Sequence, residues 1–245
     1  MRKGLQQWAG LGGGVTPPVV RVSGEADRAL RDASGGGYLG QEEGGRTLDG
    51  EQARGLAFGM VSLNRVVMQK SSRALVRALG PERLDVAEVS GKWGRNFAFR
   101  SYRQFLYPDW DICAGPYAED GKALKFDLVL ANQVWEHLDR PYAATMNVRR
   151  MLRRGGHFWL AVPFFVPYHG APMDNSRWSA RGLKNLLIEA GFAEDAIVAD
   201  QWGNRDAARR NLDGDRWPPE YDAARDTLEN DPDMPICAWA LAQKT

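Results

Sequence analysis

Cysteine is nearly missing from this chain: Cys113 and Cys237 are the only two in 245 residues. They lie far apart and lack the spacing of a metal site, so neither a metal centre nor a disulfide framework is expected, and both read as buried thiols on strands. Long apolar runs are missing too, and none approaches the roughly 20 residues that span a bilayer. Met1, Arg2 and Lys3 are followed by no continuous apolar stretch. No secretory signal and no membrane partner are therefore expected, and the cytoplasm is the expected compartment. Finally, there is no surplus of one charge: Lys and Arg total 32, Asp and Glu 31. Without a basic excess the electrostatic footprint of a nucleic-acid binder is lacking, and no nucleic-acid partner is expected.

Glycine and tryptophan are plentiful instead, at 27 and 9. Such a tryptophan count suits either an aromatic-rich core or aromatic-lined pockets. Residues 1–50 hold the glycine runs Gly12 to Gly14 and Gly35 to Gly37, with Trp8 and Tyr38 among them. Apart from a short Val19–Val22 stretch this region reads as a loop-rich arm, either a tail or a lid over a ligand. Over residues 51–80, Leu56, Met60, Leu63 and Val67 recur at three- and four-residue steps, which predicts a helix that Gly80 and Pro81 stop.

From residue 81 to 245 apolar runs alternate with amphipathic segments. Strands are expected at Leu84–Val89, Arg103–Tyr107, Asp111–Cys113, Phe126–Ala131, His157–Pro163, Ala196–Ala199 and Ile236–Ala242. Helices are expected over Pro141–Arg153, ending at Gly155 and Gly156, and along the stripe of Leu183, Leu186, Leu187 and Ala190. That alternation predicts an α/β domain of the Rossmann-like, doubly wound kind, with a mostly parallel sheet and an N-terminal helical extension. In such sheets ligands sit beyond the carboxyl ends of the strands, so function is sought there.

Three strand ends carry chemistry. The first leads through Glu88 into Ser90, Gly91, Lys92, Trp93 and Gly94, where small residues admit a ligand to the backbone and a following helix would offer free N–H groups. The fourth leads into Asn132, Gln133, Val134, Trp135, Glu136 and His137. The fifth opens a stretch running from Pro163 to Trp178, in which Phe164, Phe165, Tyr168 and Trp178 mix with His169, Asp174 and Arg177. Aromatic walls with a few convergent polar groups compose a pocket for a polar small molecule. A histidine can take a proton near neutral pH, which nominates His169 as general base, with Asp174 and His137 beside it. Arg177, with its planar fork, suits a carboxylate or phosphate, and Tyr168 and Trp178 suit substrate walls. An Asp174–Arg177 pair that merely holds the loop is the competing reading.

The stretch from Leu84 to about Phe192 resembles the class I S-adenosylmethionine-dependent methyltransferases, in a small-molecule branch. Glu88 to Gly94 is similar to a degenerate form of their first motif. Phe126-Asp127-Leu128-Val129 through Glu136-His137-Leu138 is similar to their fourth strand and its turn, Met151 to Phe158 to the turn before strand five, and Gly182 to Phe192 to the helix ending in Ala-Gly-Phe. The resemblance implies a seven-stranded sheet, S-adenosyl-L-methionine as cofactor, and methyl transfer to a small-molecule acceptor, with a homodimer as one open assembly. It implies that Glu88 faces the methionine amino group and that Ser90 and Gly91 underlie methionine and ribose. It implies that Asp111 meets the adenine amino group, that Tyr107 lies against adenine, and that Asn132 and Gln133 border the cofactor. The acid that accepts the ribose hydroxyls stands about 20 residues after the first motif in such folds; here Leu106 holds that place. Either Asp109 reaches those hydroxyls, or they are held otherwise, or Leu106 is not the equivalent position; the competing functions are a cyclase or lyase that consumes S-adenosylmethionine and releases methylthioadenosine, and a non-catalytic subunit. Motifs of the nucleic-acid methyltransferases are absent.

Overall fold

The computed structural model describes residues 61–170, 172–213 and 217–245. The expected arm over 1–50 and the helical positions Leu56 and Met60 lie outside the described residues.

Side-chain alternation sorts the strands into two buried faces. β1 (Asp85–Val89) sends Val86 to one face and Ala87 and Val89 to the other. Of the later strands, β5 (Phe126–Asn132) divides Leu128 and Leu130 from Val129 and Ala131, and β6 (Leu152–Pro163) divides Trp159 and Ala161 from Phe158, Leu160 and Val162. A strand buried on both sides reads as a continuous apolar run, which is why Phe126–Ala131 and His157–Pro163 stood out. The helix α1 (Val66–Ala78) covers the first face with Met68, Leu75 and Val76. α2 (Pro141–Met151) and α3 (Ala180–Glu189) cover the second with Val148, Met151, Leu183 and Leu187. α4 (Arg205–Asp213) joins α1 through Ala207 and Ala208. Four tryptophans, Trp135, Trp159, Trp202 and Trp239, are at most 1% exposed, so much of the tryptophan surplus is core.

With β2 (Ser101–Phe105), β7 (Ile197–Trp202) and β8 (Cys237–Gln243), the sheet order is β2-β1-β5-β6-β8-β7. β2, β1, β5 and β6 pair in parallel, whereas β8 runs antiparallel to both its neighbours. β3 (Ala118–Glu119) and β4 (Lys122–Ala123) form a separate hairpin. This is the mostly parallel α/β architecture the sequence indicates, with six strands in the main sheet of the described residues rather than seven. The expected strand at Asp111–Cys113 is a turn: the Cys113 N–H donates to Asp111 Oδ1 at 2.8 Å, a local bond that competes with a ladder. α2 also ends earlier than expected, and β6 starts at Leu152, paired with Phe126. At the end of α1, Gly80 has φ 68° and Pro81 follows, as the stop signal requires.

The largest departure lies between β1 and β2. A helix was expected after the first strand, but residues 90–100 contain only a 3-10 turn, Trp93–Asn96. Aromatic rings cover the sheet there instead. Trp93 stacks on Trp159 with centroids 4.2 Å apart, Phe97 meets Trp93 edge-on at 5.0 Å, and Phe99 stands between Phe97 and Tyr102. Offset and edge-on ring pairs of this kind supply the burial that a helix face would have provided.

Candidate functional site

The carboxyl ends of β1, β2, β5 and β6 open on one side of the sheet, and the nominated residues divide there into two groups.

The first group surrounds the ends of β1, β2 and β5. Ser90 and Gln133, which follow β1 and β5, both have left-handed backbones, with φ 48° and 57°. Side chains other than glycine rarely adopt this region, and such residues gather where a site is held in a fixed shape. Asn132 Oδ1 is buried with no hydrogen-bond partner among the described residues. The register pairs Val89 with Phe105, so Ser90 lies level with Leu106, and the Tyr107 N–H donates to Ser90 Oγ at 3.3 Å. Leu106 and Tyr107 are 52% and 70% exposed, which leaves an apolar shelf beside the Ser90 turn. Leu106 thus occupies the strand-end position that the sequence assigned to it. Asp111 is partly spent on its own turn, since one oxygen takes the Cys113 N–H.

Glu88 requires a correction. It was expected to face a ligand's amino group, but it is fully buried on the face beneath the turn. Oε1 accepts from the Trp93 N–H and Oε2 from the Gly94 N–H, both at 2.7 Å, and Tyr102 donates its hydroxyl to Oε2 at 2.5 Å. Three donors satisfy the carboxylate from within, so no surface is left for a ligand. Gly91 and Gly94 are likewise explained by packing. A Cβ on Gly91 would stand 2.2 Å from Glu88 Oε1, and one on Gly94 would stand 2.5 Å from the Tyr102 ring.

The second group lines a partly open cavity of about 110 Å³ beyond β5, β6 and β8. Gln133 turns into it, away from Asn132, and meets Arg65, His169, Trp217 and Ser62 there. The roof comes from two distant segments. Leu63 N–H donates to the Pro219 carbonyl at 2.9 Å, Tyr221 N–H to the Val61 carbonyl at 2.9 Å, and Asn64 Nδ2 reaches Asn211 Oδ1 on α4 at 2.8 Å. These bonds fix the 3-10 turn Leu63–Arg65 and hence the guanidinium at its end.

His169 lines the cavity between Trp217, stacked at 5.2 Å, and His137, edge-on at 5.1 Å. Burial lowers its pKa, so the imidazole is neutral near neutral pH. The His137 Nδ1 faces the Met173 carbonyl, which only accepts, so Nδ1 carries the hydrogen. Its Nε2 then faces Glu136 Oε1 at 3.7 Å. Glu136 is 1% exposed, and burial pushes its carboxyl up to about 7 against the opposing pull of Arg65 and Arg177. Its Oε2 has no partner among the described residues.

Asp174 and Arg177 are bound to each other. The two terminal guanidinium nitrogens of Arg177 donate to the Asp174 carboxylate, which also accepts from the His169 N–H at 2.9 Å. That pairing holds Asp174 below its ordinary range and fixes the loop that carries His169. The anion-binding role expected of Arg177 is therefore corrected: its fork is filled by Asp174. Tyr168 is 80% exposed and Trp178 half-buried against the core below α3. Neither lines the cavity. Arg65, Glu136 and Trp217 were missed in the sequence. Only Glu136 carried a signal, as the neighbour of His137 in the fourth-strand turn.

A wider depression of about 310 Å³ lies at the opposite, amino end of the strands. Its Arg100 is already paired with Asp85 and Asp127 at 2.6 and 3.1 Å, and no residue nominated for chemistry reaches it.

Among known proteins, residues 109–160 match the family model described as a methyltransferase domain. No curated protein matches the chain. Solved structures it is similar to include an S-adenosylmethionine-dependent methyltransferase from Mesorhizobium loti, 15% identical with TM-score 0.41, the match covering 69% of this chain and 96% of that one. Another is phosphoethanolamine N-methyltransferase 2 of Haemonchus contortus, 10% identical with TM-score 0.46, covering 70% and 52%. A third is a Thermotoga maritima methyltransferase described as a possible histamine N-methyltransferase, 13% identical with TM-score 0.43, covering 74% and 98%. The residues at the ends of β1, β2 and β5 fit S-adenosylmethionine: Asn132 Oδ1 is a buried acceptor awaiting a donor, and Leu106 and Tyr107 offer apolar surface beside it. The family match spans residues 109–160, and the sheet that holds them has the order β2-β1-β5-β6-β8-β7 of a mostly parallel α/β fold.

Proposed function

We propose that the protein transfers a methyl group from S-adenosylmethionine to a small-molecule acceptor, with the acceptor's reacting group facing His169. The observation that carries this reading is the juxtaposition of two unfilled places at adjoining strand ends. One is the unpartnered Asn132 Oδ1 beside the left-handed Ser90 turn, and the other is the cavity lined by Gln133, Arg65 and His169.

Asn132 would accept from the methionine ammonium, Ser90 and Gly91 would underlie the chain of the cofactor, and Leu106 and Tyr107 would lie along the adenosine. The bound sulfonium makes its methyl electrophilic, so what the protein must add is alignment, dryness and a place for the acceptor's proton. His169 is neutral at neutral pH and can receive that proton. The Asp174 carboxylate fixes the His169 backbone, and Trp217 fixes the ring plane. Glu136 lies behind this group, its Oε1 3.7 Å from the His137 Nε2 and so near it without a hydrogen bond.

Calorimetry with S-adenosylmethionine tests the reading on the full chain. Binding is expected, and Asn132→Ala should weaken it by about 1.5–3 kcal/mol, the worth of a hydrogen bond to a charged group. S-adenosylhomocysteine should accumulate only when an acceptor is added. Release of methylthioadenosine from S-adenosylmethionine alone would replace transfer by cyclase or lyase chemistry, and absence of binding would leave a non-catalytic subunit.

A further inference from the structure

The cavity beyond β5, β6 and β8 has a chemistry that goes past a generic acceptor pocket. Arg65 enters it from the 3-10 turn before α1, and none of the side-chain hydrogen bonds or ion pairs among the described residues involves its guanidinium. Its strongest opposite charge is Glu136, which attracts it without forming an ion pair. Three further donors of the lining are buried with no acceptor among the described residues: Gln133 Nε2, Trp217 Nε1 and Ser62 Oγ. Against these stands one unpaired acceptor, Asn64 Oδ1. Buried donors without acceptors are costly, and a largely buried guanidinium that lacks a contact partner is costlier still. A single group with several anionic oxygens would satisfy most of them at once through charge-assisted bonds.

Size agrees with charge. A recess of about 110 Å³ has room for a carboxylate or a phosphate and the few atoms that attach it. Arg177, the other guanidinium near the loop, is filled by Asp174 and does not compete. Location agrees as well, since the same space is bordered by His169, the group placed to take the acceptor's proton.

We infer that this cavity seats an anionic oxygen group, a carboxylate or phosphate carried by the acceptor, and that Arg65 with Gln133, Trp217 and Ser62 selects for it. The inference rests on the methyltransferase reading for the word acceptor, while the anion seat stands on the cavity itself. Arg65 then sets specificity and does not touch the cofactor.

Inorganic phosphate is the probe. In a ¹H–¹⁵N spectrum of the full chain the indole N–H of Trp217, identified by its loss in Trp217→Phe, should move saturably as phosphate is added, with chloride as the control. Arg65→Met should weaken that response at least about tenfold, a loss of about 1.4 kcal/mol. Arg65→Lys, which keeps the charge and loses the fork, should fall between and serves if the methionine variant does not fold. S-adenosylmethionine affinity should stay unchanged in both variants. A wild-type resonance that does not respond, or an equal response in Arg65→Met, overturns the anion seat. A parallel loss of S-adenosylmethionine binding overturns it too, by showing that Arg65 holds the cofactor's own carboxylate. Failure of the wild type to bind S-adenosylmethionine while the phosphate response persists would fell the methyltransferase reading and spare the seat.

Discussion

Glu88 and Glu136 are both buried almost completely, and the surroundings of each decide what burial does to it. Glu88 gathers two backbone N–H groups and a tyrosine hydroxyl, so its charge is met by donors. Glu136 has an oxygen with no partner among the described residues, and desolvation pushes its carboxyl from 4.5 up to about 7. Between those two values the folded protein holds a proton that the unfolded chain has released. The contribution of Glu136 to stability is therefore fully present below pH 4.5 and is lost as pH rises through about 7. Glu136→Gln removes that dependence. In urea unfolding at pH 5 and pH 8, the stability difference between the two pH values should shrink by about 2–3 kcal/mol in the variant. An unchanged difference would mean that Glu136 is ionised in both conditions. In the sequence the two acids look alike, each close to the carboxyl end of an apolar strand, Glu88 within β1 and Glu136 in the turn after β5. What separates them is the number of donors the fold brings within reach, which no local pattern carries.

The connection from β1 to β2 shows what is lost when a pattern fits two structures. Trp93 and Phe97 are four residues apart, a spacing that suits a helix face as well as the stacked turn that forms. Strands were legible because burial on both faces leaves continuous apolar runs, and α3 was legible because its stripe is regular. The turn was not, because the Glu88 carboxylate organises it through backbone contacts. Glu88, Gly91 and Gly94 therefore act as one unit, with a testable coupling. Gly91→Ala alone should destabilise by about 1–3 kcal/mol, since its Cβ would collide with Glu88 Oε1. Glu88→Ala alone should cost about 2–3 kcal/mol through the orphaned N–H groups. The double variant should fall short of the sum by at least about 1 kcal/mol, because the carboxylate that rejects the methyl is gone. Additive losses in a denaturation cycle would mean that Gly91 is required for another reason, such as a ligand's approach.

At the scale of the whole molecule, the site is assembled from stretches that lie far apart in the chain. Arg65 precedes the first described helix, Gln133 and Glu136 follow the central strand, His169 follows the next, and Trp217 lies beyond α4. The strand-end residues were legible because the α/β rule points to them. Arg65 and Trp217 were not, since neither stands at a strand end and both arrive through the pairing of residues 61–65 with 217–221. The last strand binds these parts together. β8 is the final element of the chain, yet it lies inside the sheet, with seven residues paired to β6 and six to β7. Its first residue, Cys237, also lines the cavity. Without it β7 has no partner, Trp202 loses its strand partner Cys237, and the apolar face beneath α1 and α4 opens to water. Such a non-local ladder cannot form until the chain's end is available, and the loop-closure entropy it overcomes makes folding cooperative around it. A chain ending at Ile236 should therefore show no cooperative thermal transition by circular dichroism and should expose apolar surface to a fluorescent dye. A cooperative transition in that truncated chain would mean that β1, β2, β5 and β6 with their helices form a self-sufficient core, and that β8 serves only to close the cavity.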